Sequence, residues 1–209
     1  MNAEEKRAFN KELLTLAVPL GLQVLLTALV GASDALMLGR LNQESVAAVS
    51  LANQISFVMS LFVSSVVGSV GVLVAQYLGK KDERNAKRFM SMALRYSFLI
   101  SLVFTLAALL APEKLMALYT PEQELIDIGA GYLRIVSVSY LLSGISQCYL
   151  MVMKIDGRAR LSVWISALTV LVDMGLDFFL IYGYGAIPAL GANGSAYSTI
   201  AVEAVALVW

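Results

Sequence analysis

A block of 35 residues, Ser45–Gly79, contains no charged side chain. About 20 apolar residues, at 1.5 Å of helix rise each, are enough to cross the hydrocarbon core of a bilayer. The composition agrees with a membrane location, because 59% of the 209 residues are hydrophobic and 14% are charged, whereas soluble domains have about 25% charged residues. The sequence therefore predicts a helical membrane protein rather than a soluble domain.

Five further apolar segments share this character, so the prediction is an all-α membrane protein with six transmembrane helices. The predicted spans are 13–38, 46–77, 89–111, 126–152, 162–182 and 191–209. No soluble domain interrupts them, so residues 1–209 are treated as a single six-helix unit. Pro19 removes a backbone hydrogen bond and predicts a bend in the first helix. The glycines and Pro188 of the segment 183–194 predict an irregular outer loop.

The basic residues predict the orientation. Cytoplasmic loops collect Lys and Arg, and 11 of the 15 basic residues precede span one or lie between spans two and three or spans four and five. The loops on the opposite side contain only Arg40 and Lys114. The sequence thus predicts a multi-pass protein of the cell membrane whose two termini are both cytoplasmic.

Composition also argues against several functions. The formal net charge is zero, which is not typical of a nucleic-acid-binding protein. One cysteine, Cys148, and no histidine leave no disulfide framework and no common transition-metal site. No serine or metal motif of a membrane enzyme is found. We therefore expect a protein that is not an enzyme and needs no cofactor, in which carboxylates or tyrosine handle any protons.

Ionisable side chains inside membrane spans are costly and usually face a cavity or a partner. Asp34 lies in the outer third of span one, Asp173 lies near the middle of span five, and Asp177 lies one turn further out. Tyr132 of span four and Ser195 and Thr199 of span six fall in the same outer half. Asp173 and Asp177 share one helix face, as do Ser195 and Thr199, because each pair is four residues apart.

Two carboxylates on one face repel each other unless a cation or a proton lies between them. A third carboxylate at the same depth, with hydroxyl oxygens nearby, suits a shared proton or an alkali cation. The sequence thus predicts a proton or Na⁺ site at Asp34, Asp173, Asp177 and Thr199. In the alternative, Asp34 and Asp177 are structural hydrogen-bonding residues paired with Arg134.

Four other polar residues in the spans are weaker candidates for lining a cavity. Gln54 and Gln147 can do so, and Glu203 shares a helix face with Thr199 but lies deeper. Arg134 either extends outward to Glu124 or Asp127 or acts as the counter-charge of the carboxylates.

The chain resembles multidrug and toxic compound extrusion (MATE) transporters along its whole length. The segments that carry the resemblance are Leu16–Pro19, Asp34–Leu41, Val46–Ala52, Ala75–Asp82, Tyr132–Ile135, Gly157–Arg160, Leu176–Gly183 and Gly191–Ala196. The resemblance implies a proton- or sodium-driven antiporter that exports organic, often cationic, drugs or toxic compounds. It also implies one lobe of a twelve-helix transporter.

By the same resemblance, Asp34 and Asp177 match the coupling acids, Pro19 the kink proline and Tyr132 the tyrosine of span four. Ser195 or Thr199 matches the hydroxyl of span six. The chain departs from the pattern at Asp173, where the family has Asn, and this departure leaves the choice of ion open.

Six spans make one lobe, so the expected partners are the bilayer, a small organic substrate and a second six-helix lobe. That second lobe is either a missing C-terminal half or a parallel copy of this chain. Two alternatives remain. The first is a flippase for lipid-linked precursors, which needs a more cationic cavity than Arg95 and Arg134 provide. The second is a half-length membrane fragment without transport activity.

Overall fold

The computed structural model describes residues 3–156, 159–184 and 188–208, and these residues form helices and connecting turns. The helices are α1 (Ala3–Gly39), α2 (Gln43–Gly79), α3 (Glu83–Leu110), α4 (Pro112–Ala117), α5 (Gln123–Ile155), α6 (Ala159–Tyr182) and α7 (Ala192–Val208). Six of these are long, and each coincides with one predicted span. The prediction of an all-α, six-helix membrane lobe is confirmed.

Length and hydropathy together distinguish four of the long helices from α1 and α7. Four segments are long and apolar enough to cross a membrane, namely Gln43–Gly79, Glu83–Leu110, Gln123–Ile155 and Leu161–Tyr182. Among the residues whose side chains are described, α1 provides the apolar stretch Val24–Gly39, and α7 has 17 residues. Asp34 lies on the first of these two helices, and Ser195 and Thr199 lie on the second.

Side-chain caps begin α2 and α3. The Ser45 backbone N–H donates to Asn42 Oδ1 at 2.7 Å, and the Asn85 N–H donates to Asp82 Oδ1 at 3.1 Å. Each bond satisfies an N–H that lacks an intrahelical partner. Lys81, just before Asp82, has φ +59°, which closes the turn between the two helices.

Two loops differ from their prediction. Ala111–Pro112 ends α3 as expected, but Pro112 then begins the short helix α4, because proline is well suited to the first helical position. The outer loop predicted over 183–194 ends earlier, since α7 already begins at Ala192. Residues 185–187 of this loop, Gly157 and Arg158 between α5 and α6, and Trp209 lie outside the described residues. Pro19 lies within α1, and the bend there stays a prediction.

The long helices pack as two groups, α2–α3–α5 and α1–α6–α7, which meet where α7 packs against α5. Helices α2, α3 and α5 pack against one another, while α6 packs against α1 and α7, and α7 packs against α5. Most of the apolar core lies in the first group, around residues such as Val63, Ala93 and Leu133. The second group brings α1, α6 and α7 together where the chain has its buried carboxylates.

Candidate functional site

Three carboxylates converge where α1 meets α6. Asp34 lies on α1, and Asp173 and Asp177 lie one turn apart on α6. One oxygen from each side chain lies within 4.8 Å of the other two. Asp173 and Asp177 are buried, and Asp34 is partly buried. The structure thus brings together the three acids that sequence depth and spacing selected, and we refer to Asp34, Asp173 and Asp177 as the carboxylate triad.

The triad contains buried oxygens without hydrogen-bond partners. Asp34 Oδ1, Asp173 Oδ1 and Asp177 Oδ2 are buried and accept no hydrogen bond from any described residue. A buried carboxylate without a partner is strongly destabilising when ionised. Because the three acids also bring one oxygen each within 4.8 Å of the others, the cluster needs a shared proton or a cation. The donor set is all oxygen, which suits a hard cation.

Ser198 of α7 completes the surroundings of the triad. Its hydroxyl donates to Asp177 Oδ1 and also lies 2.9 Å from the Ser195 carbonyl oxygen. The sequence analysis paired Ser195 with Thr199 by their four-residue spacing and missed Ser198. A spacing of three also places two residues on one helix face, and this spacing was the available signal.

The two predicted hydroxyls of α7 have different positions. Thr199 lines the cavity beside the triad and donates to the Ser195 carbonyl oxygen at 2.9 Å. Ser195 is buried and does not line that cavity. Of the two residues, Thr199 is therefore the one placed to face a bound ion.

Tyr132 is buried on α5 and lines the same cavity. Its hydroxyl donates to Asn53 Oδ1 of α2 at 3.2 Å. It is close enough to all three acids of the triad to interact with them electrostatically. Tyr132 thus connects the triad to the α2–α3–α5 group.

A cavity of about 650 Å³ opens beside the triad. Its lining residues come from five helices and are Thr27, Val30, Gly31, Asp34, Asn53, Ser56, Phe57, Met59, Ser60, Tyr132, Val136, Ser139, Tyr140, Ser143, Ser166, Thr169, Val170, Asp173, Thr199, Val202 and Glu203. Lys and Arg are absent from this described lining, whereas Asp34, Asp173 and Glu203 contribute carboxylates. The wall therefore suits positively charged or neutral ligands.

The structure places the four weaker candidates differently from one another. Glu203 lines the cavity, and Gln147 lines a separate space of about 580 Å³ between α2 and α5. Gln54 is exposed and does not line the cavity beside the triad. Its neighbour Asn53 occupies that wall instead, because successive helix residues point about 100° apart.

The partners predicted for Arg134 are wrong. Its guanidinium pairs with Glu113 of α4, and their side chains are 56% and 49% exposed. Arg134 therefore neither lines the cavity nor neutralises the triad, and it does not pair with Glu124 or Asp127. Because α4 was not predicted, Glu113 could not be recognised as a partner from the sequence.

Comparison with known proteins gives a consistent result. A family model described as MatE matches residues 19–179. The multidrug resistance protein PmpM of Pseudomonas aeruginosa is 30% identical over 196 residues, which cover 92% of this chain and 40% of PmpM. The multidrug resistance protein NorM of Burkholderia vietnamiensis is 29% identical over 200 residues, which cover 93% of this chain and 43% of NorM.

A solved structure of a multidrug resistance MATE transporter in an outward-facing conformation has the same fold. It superposes with a TM-score of 0.83 at 19% identity, over 93% of this chain and 42% of that chain. The chain spans about two fifths of the length of the curated relatives it matches.

Proposed function

Because the chain belongs to the MatE family, whose model matches residues 19–179, we propose that it forms the cation-binding lobe of a membrane exporter. The exporter expels organic, often cationic, compounds in exchange for protons or Na⁺. The named relatives PmpM and NorM are multidrug resistance proteins, which supports this substrate class.

One observation carries the proposal, namely the carboxylate triad with its three unpartnered buried oxygens. A bound proton or Na⁺ would remove the like-charge repulsion and satisfy these oxygens. Thr199 adds a neutral hydroxyl oxygen on the same cavity wall. Binding of a small cation at the triad would therefore be favourable, whether or not an organic ligand also occupies the cavity.

The triad spans two helices, and this arrangement offers a mechanism of coupling. Asp34 belongs to α1 and the other two acids belong to α6, so protonation or Na⁺ binding changes the force between these helices. A ligand shifts a conformational equilibrium when it binds one state more tightly than the other. We infer that the loaded and empty triads favour different positions of α1, with Pro19 as the point of bending.

The charge of the cavity argues against a lipid-linked-precursor flippase. Such a substrate carries phosphate groups, which need Arg or Lys in the binding wall. The described lining has carboxylates and hydroxyls instead. An organic cation is the better match to this wall.

The second lobe is also a proposal. Two lobes with an axis along the membrane normal would enclose the cavity between them. A C-terminal half in a longer chain or a parallel copy of this chain would supply the second lobe. The mass of the denatured polypeptide distinguishes these two arrangements, because a single chain with both lobes is about twice as heavy as this one, whereas a pair of copies dissociates into chains of 22.5 kDa.

Reconstitution of the full-length protein, as its gene encodes it, tests the proposed function. Proteoliposomes loaded with ethidium should release it when either a proton gradient or a Na⁺ gradient is imposed. Asp34→Asn should abolish the gradient-driven part, while Glu44→Gln, the same kind of change at an exposed acid of α2, should retain it. Export that responds to neither gradient, or that is equal in the Asp34→Asn protein, would refute cation coupling.

The cytoplasmic position of the termini has its own test. In a Cys148→Ser background, a cysteine at exposed Ala189 should react with a membrane-impermeant maleimide added to intact cells. A cysteine at exposed Arg84, in the first turn of α3, should react only after permeabilisation. The reverse pattern would invert the orientation.

A further inference from the structure

Glu203 is a fourth carboxylate of the cavity and lies apart from the triad. It follows Thr199 by four residues on α7, which places it about 6 Å further along the helix. It lines the cavity beside the Ser143 hydroxyl of α5. It does not belong to the group of carboxylate oxygens that lie within 4.8 Å of one another.

The triad itself is too narrow for an organic cation. An ion midway between two oxygens 4.8 Å apart lies half that distance, 2.4 Å, from each of them. This space suits a proton or a bare metal ion. A nitrogen or phosphorus that carries several carbon groups cannot approach three oxygens so closely.

The wall around Glu203 has a different chemistry. Tyr140 precedes Ser143 by three residues, so it lies on the same face of α5 as the hydroxyl beside Glu203. Phe57 of α2 and Val202 of α7 also line the cavity. A carboxylate together with aromatic and apolar surface is the combination that binds organic cations.

The size of the cavity fits such a ligand. Its volume of about 650 Å³ lies within the range of about 300–1,000 Å³ that is typical of small-molecule sites. No described lining residue is Lys or Arg, so Glu203 has no basic partner in this wall. The Ser143 and Ser146 hydroxyls lie within hydrogen-bonding reach of this carboxylate, but neutral hydroxyls leave its charge uncompensated, so a positively charged ligand would stabilise it.

We propose that Glu203 binds the positively charged group of the organic substrate, while the carboxylate triad binds the coupling proton or Na⁺. This inference rests on the proposed function. It gives the two ligands of an antiporter separate sites within one cavity, and it assigns to Glu203 the selection of cationic over anionic substrates.

The two sites are close enough to influence each other. Asp173 of the triad and Glu203 interact electrostatically. Two positive charges bound at these neighbouring acids repel, so occupancy of one site lowers the affinity of the other. By linkage the effect is reciprocal, and such mutual exclusion is what exchange of substrate for a cation requires.

A pair of probes with the same shape and opposite charge tests the inference. Binding of tetraphenylphosphonium and of tetraphenylborate to the full-length protein is measured by calorimetry in detergent. We expect Glu203→Gln to weaken tetraphenylphosphonium binding about tenfold, because a desolvated charge partner is lost, and not to weaken tetraphenylborate binding. Glu203→Asp keeps the charge and should retain most of the affinity. Glu44→Gln should leave both probes unaffected.

The outcomes separate this inference from the proposed function. Tetraphenylphosphonium affinity within twofold of the wild type in Glu203→Gln, or an equal loss for both probes, would overturn the role of Glu203 even where gradient-driven export persists. A charge-selective loss supports it, and calorimetry detects this loss independently of transport. Wild-type protein that responds to no imposed gradient would instead refute the coupling at the triad.

Discussion

The α2–α3–α5 group and the α1–α6–α7 group bury different kinds of side chain. The first buries aliphatic residues such as Val63 and Leu133, and its Thr105 hydroxyl donates to a backbone carbonyl at 3.0 Å. The second buries Asp173 and Asp177, each with an oxygen that no described residue satisfies. One group has apolar packing as its main source of stability, and the other retains an electrostatic cost.

This difference indicates that one helix group stabilises the lobe and that the other changes state when a ligand binds. Functional elements are drawn from the less stable part of a structure, since they have to change state. Packing in the first group gives α5 a fixed position, and α5 carries Tyr132 toward the triad. The second group contains the charges that a ligand neutralises. Substitutions in the two groups should therefore affect different measurements.

The largest effect should come from the triad. Asp177→Asn removes one acid and one negative charge but keeps the shape, so the full-length protein should lose more than 90% of gradient-driven ethidium export, about one order of magnitude. Because buried charge is removed, its thermal stability should stay equal or rise. Export from proteoliposomes and melting in detergent are measured on the same preparations.

Glu44→Gln is the matched control, and it should change neither export nor melting. Unchanged export by Asp177→Asn at every proton and Na⁺ gradient would contradict a functional role for the buried acids of the α1–α6–α7 group. The triad would then be a structural cluster only.

The second largest effect concerns the contact between α6 and α7. A Cβ atom on Gly194 would lie 2.6 Å from the Leu180 carbonyl carbon and oxygen, which are backbone atoms and cannot rotate away. Gly194→Ala should therefore lower the free energy of unfolding by about 3 kcal/mol, and it should displace Ser198 from Asp177. Melting in detergent measures the first effect and the export assay measures the second.

Two glycines of the α2–α3–α5 group sharpen this test. In Gly144→Ala the added methyl group would meet the Ser101 hydroxyl, which can turn, and would lie 3.2 Å from Ser101 Cβ and 3.3 Å from the Ser97 carbonyl oxygen. These contacts need a shift of only a few tenths of an ångström, so we expect a smaller loss of about 1 kcal/mol. Gly68→Ala meets no atom within 4 Å and should be neutral or slightly stabilising. A Gly194→Ala protein as stable as Gly68→Ala would contradict the close packing of α6 on α7.

The number and positions of the long helices were predictable, because apolar length and Lys/Arg content depend on local sequence. The convergence of Asp34 with Asp173 and Asp177 was predictable in depth, since each residue could be counted from a helix end. Direction around the helix was predictable only within α6, where the four-residue spacing fixes it.

The errors arose where tertiary packing decides. Ser198, whose hydroxyl donates to Asp177, was missed, because the rotation of α7 about its axis depends on the fit of Gly194 against Leu180. Arg134 pairs with Glu113, because α4 places that acid on the outer surface. Gln54 lies outside the cavity because the rotation of α2 about its axis turns Asn53 toward the cavity instead. Sequence spacing defines which residues share a face, but only packing determines which face meets the neighbour.

The ion pair of Arg134 and Glu113 should have a smaller effect than any buried substitution. Both side chains are about half exposed, and such pairs contribute about 0.5 kcal/mol or less after screening by water and salt. Arg134→Gln should leave ethidium export within twofold of the wild type and shift melting only slightly. A strong loss of export would mean that Arg134 reaches the triad in another state of the transporter.

The smallest effect should come from the cap of α3, at the turn between α2 and α3. Hydrogen bonds from Asn85, the backbone N–H first, hold the pKa of Asp82 below its ordinary value of 3.8. A carboxyl whose pKa is lowered by folding stabilises the folded state above its ordinary pKa, and this contribution is lost as the pH falls through the lower, folded value. Amide exchange at Asn85, corrected for its intrinsic pH dependence, should therefore lose protection below about pH 4. Asp82→Asn keeps a capping oxygen without a titratable group, so its protection should not change over that pH range. An identical pH dependence in both proteins would show that the charge of Asp82 does not stabilise the start of α3.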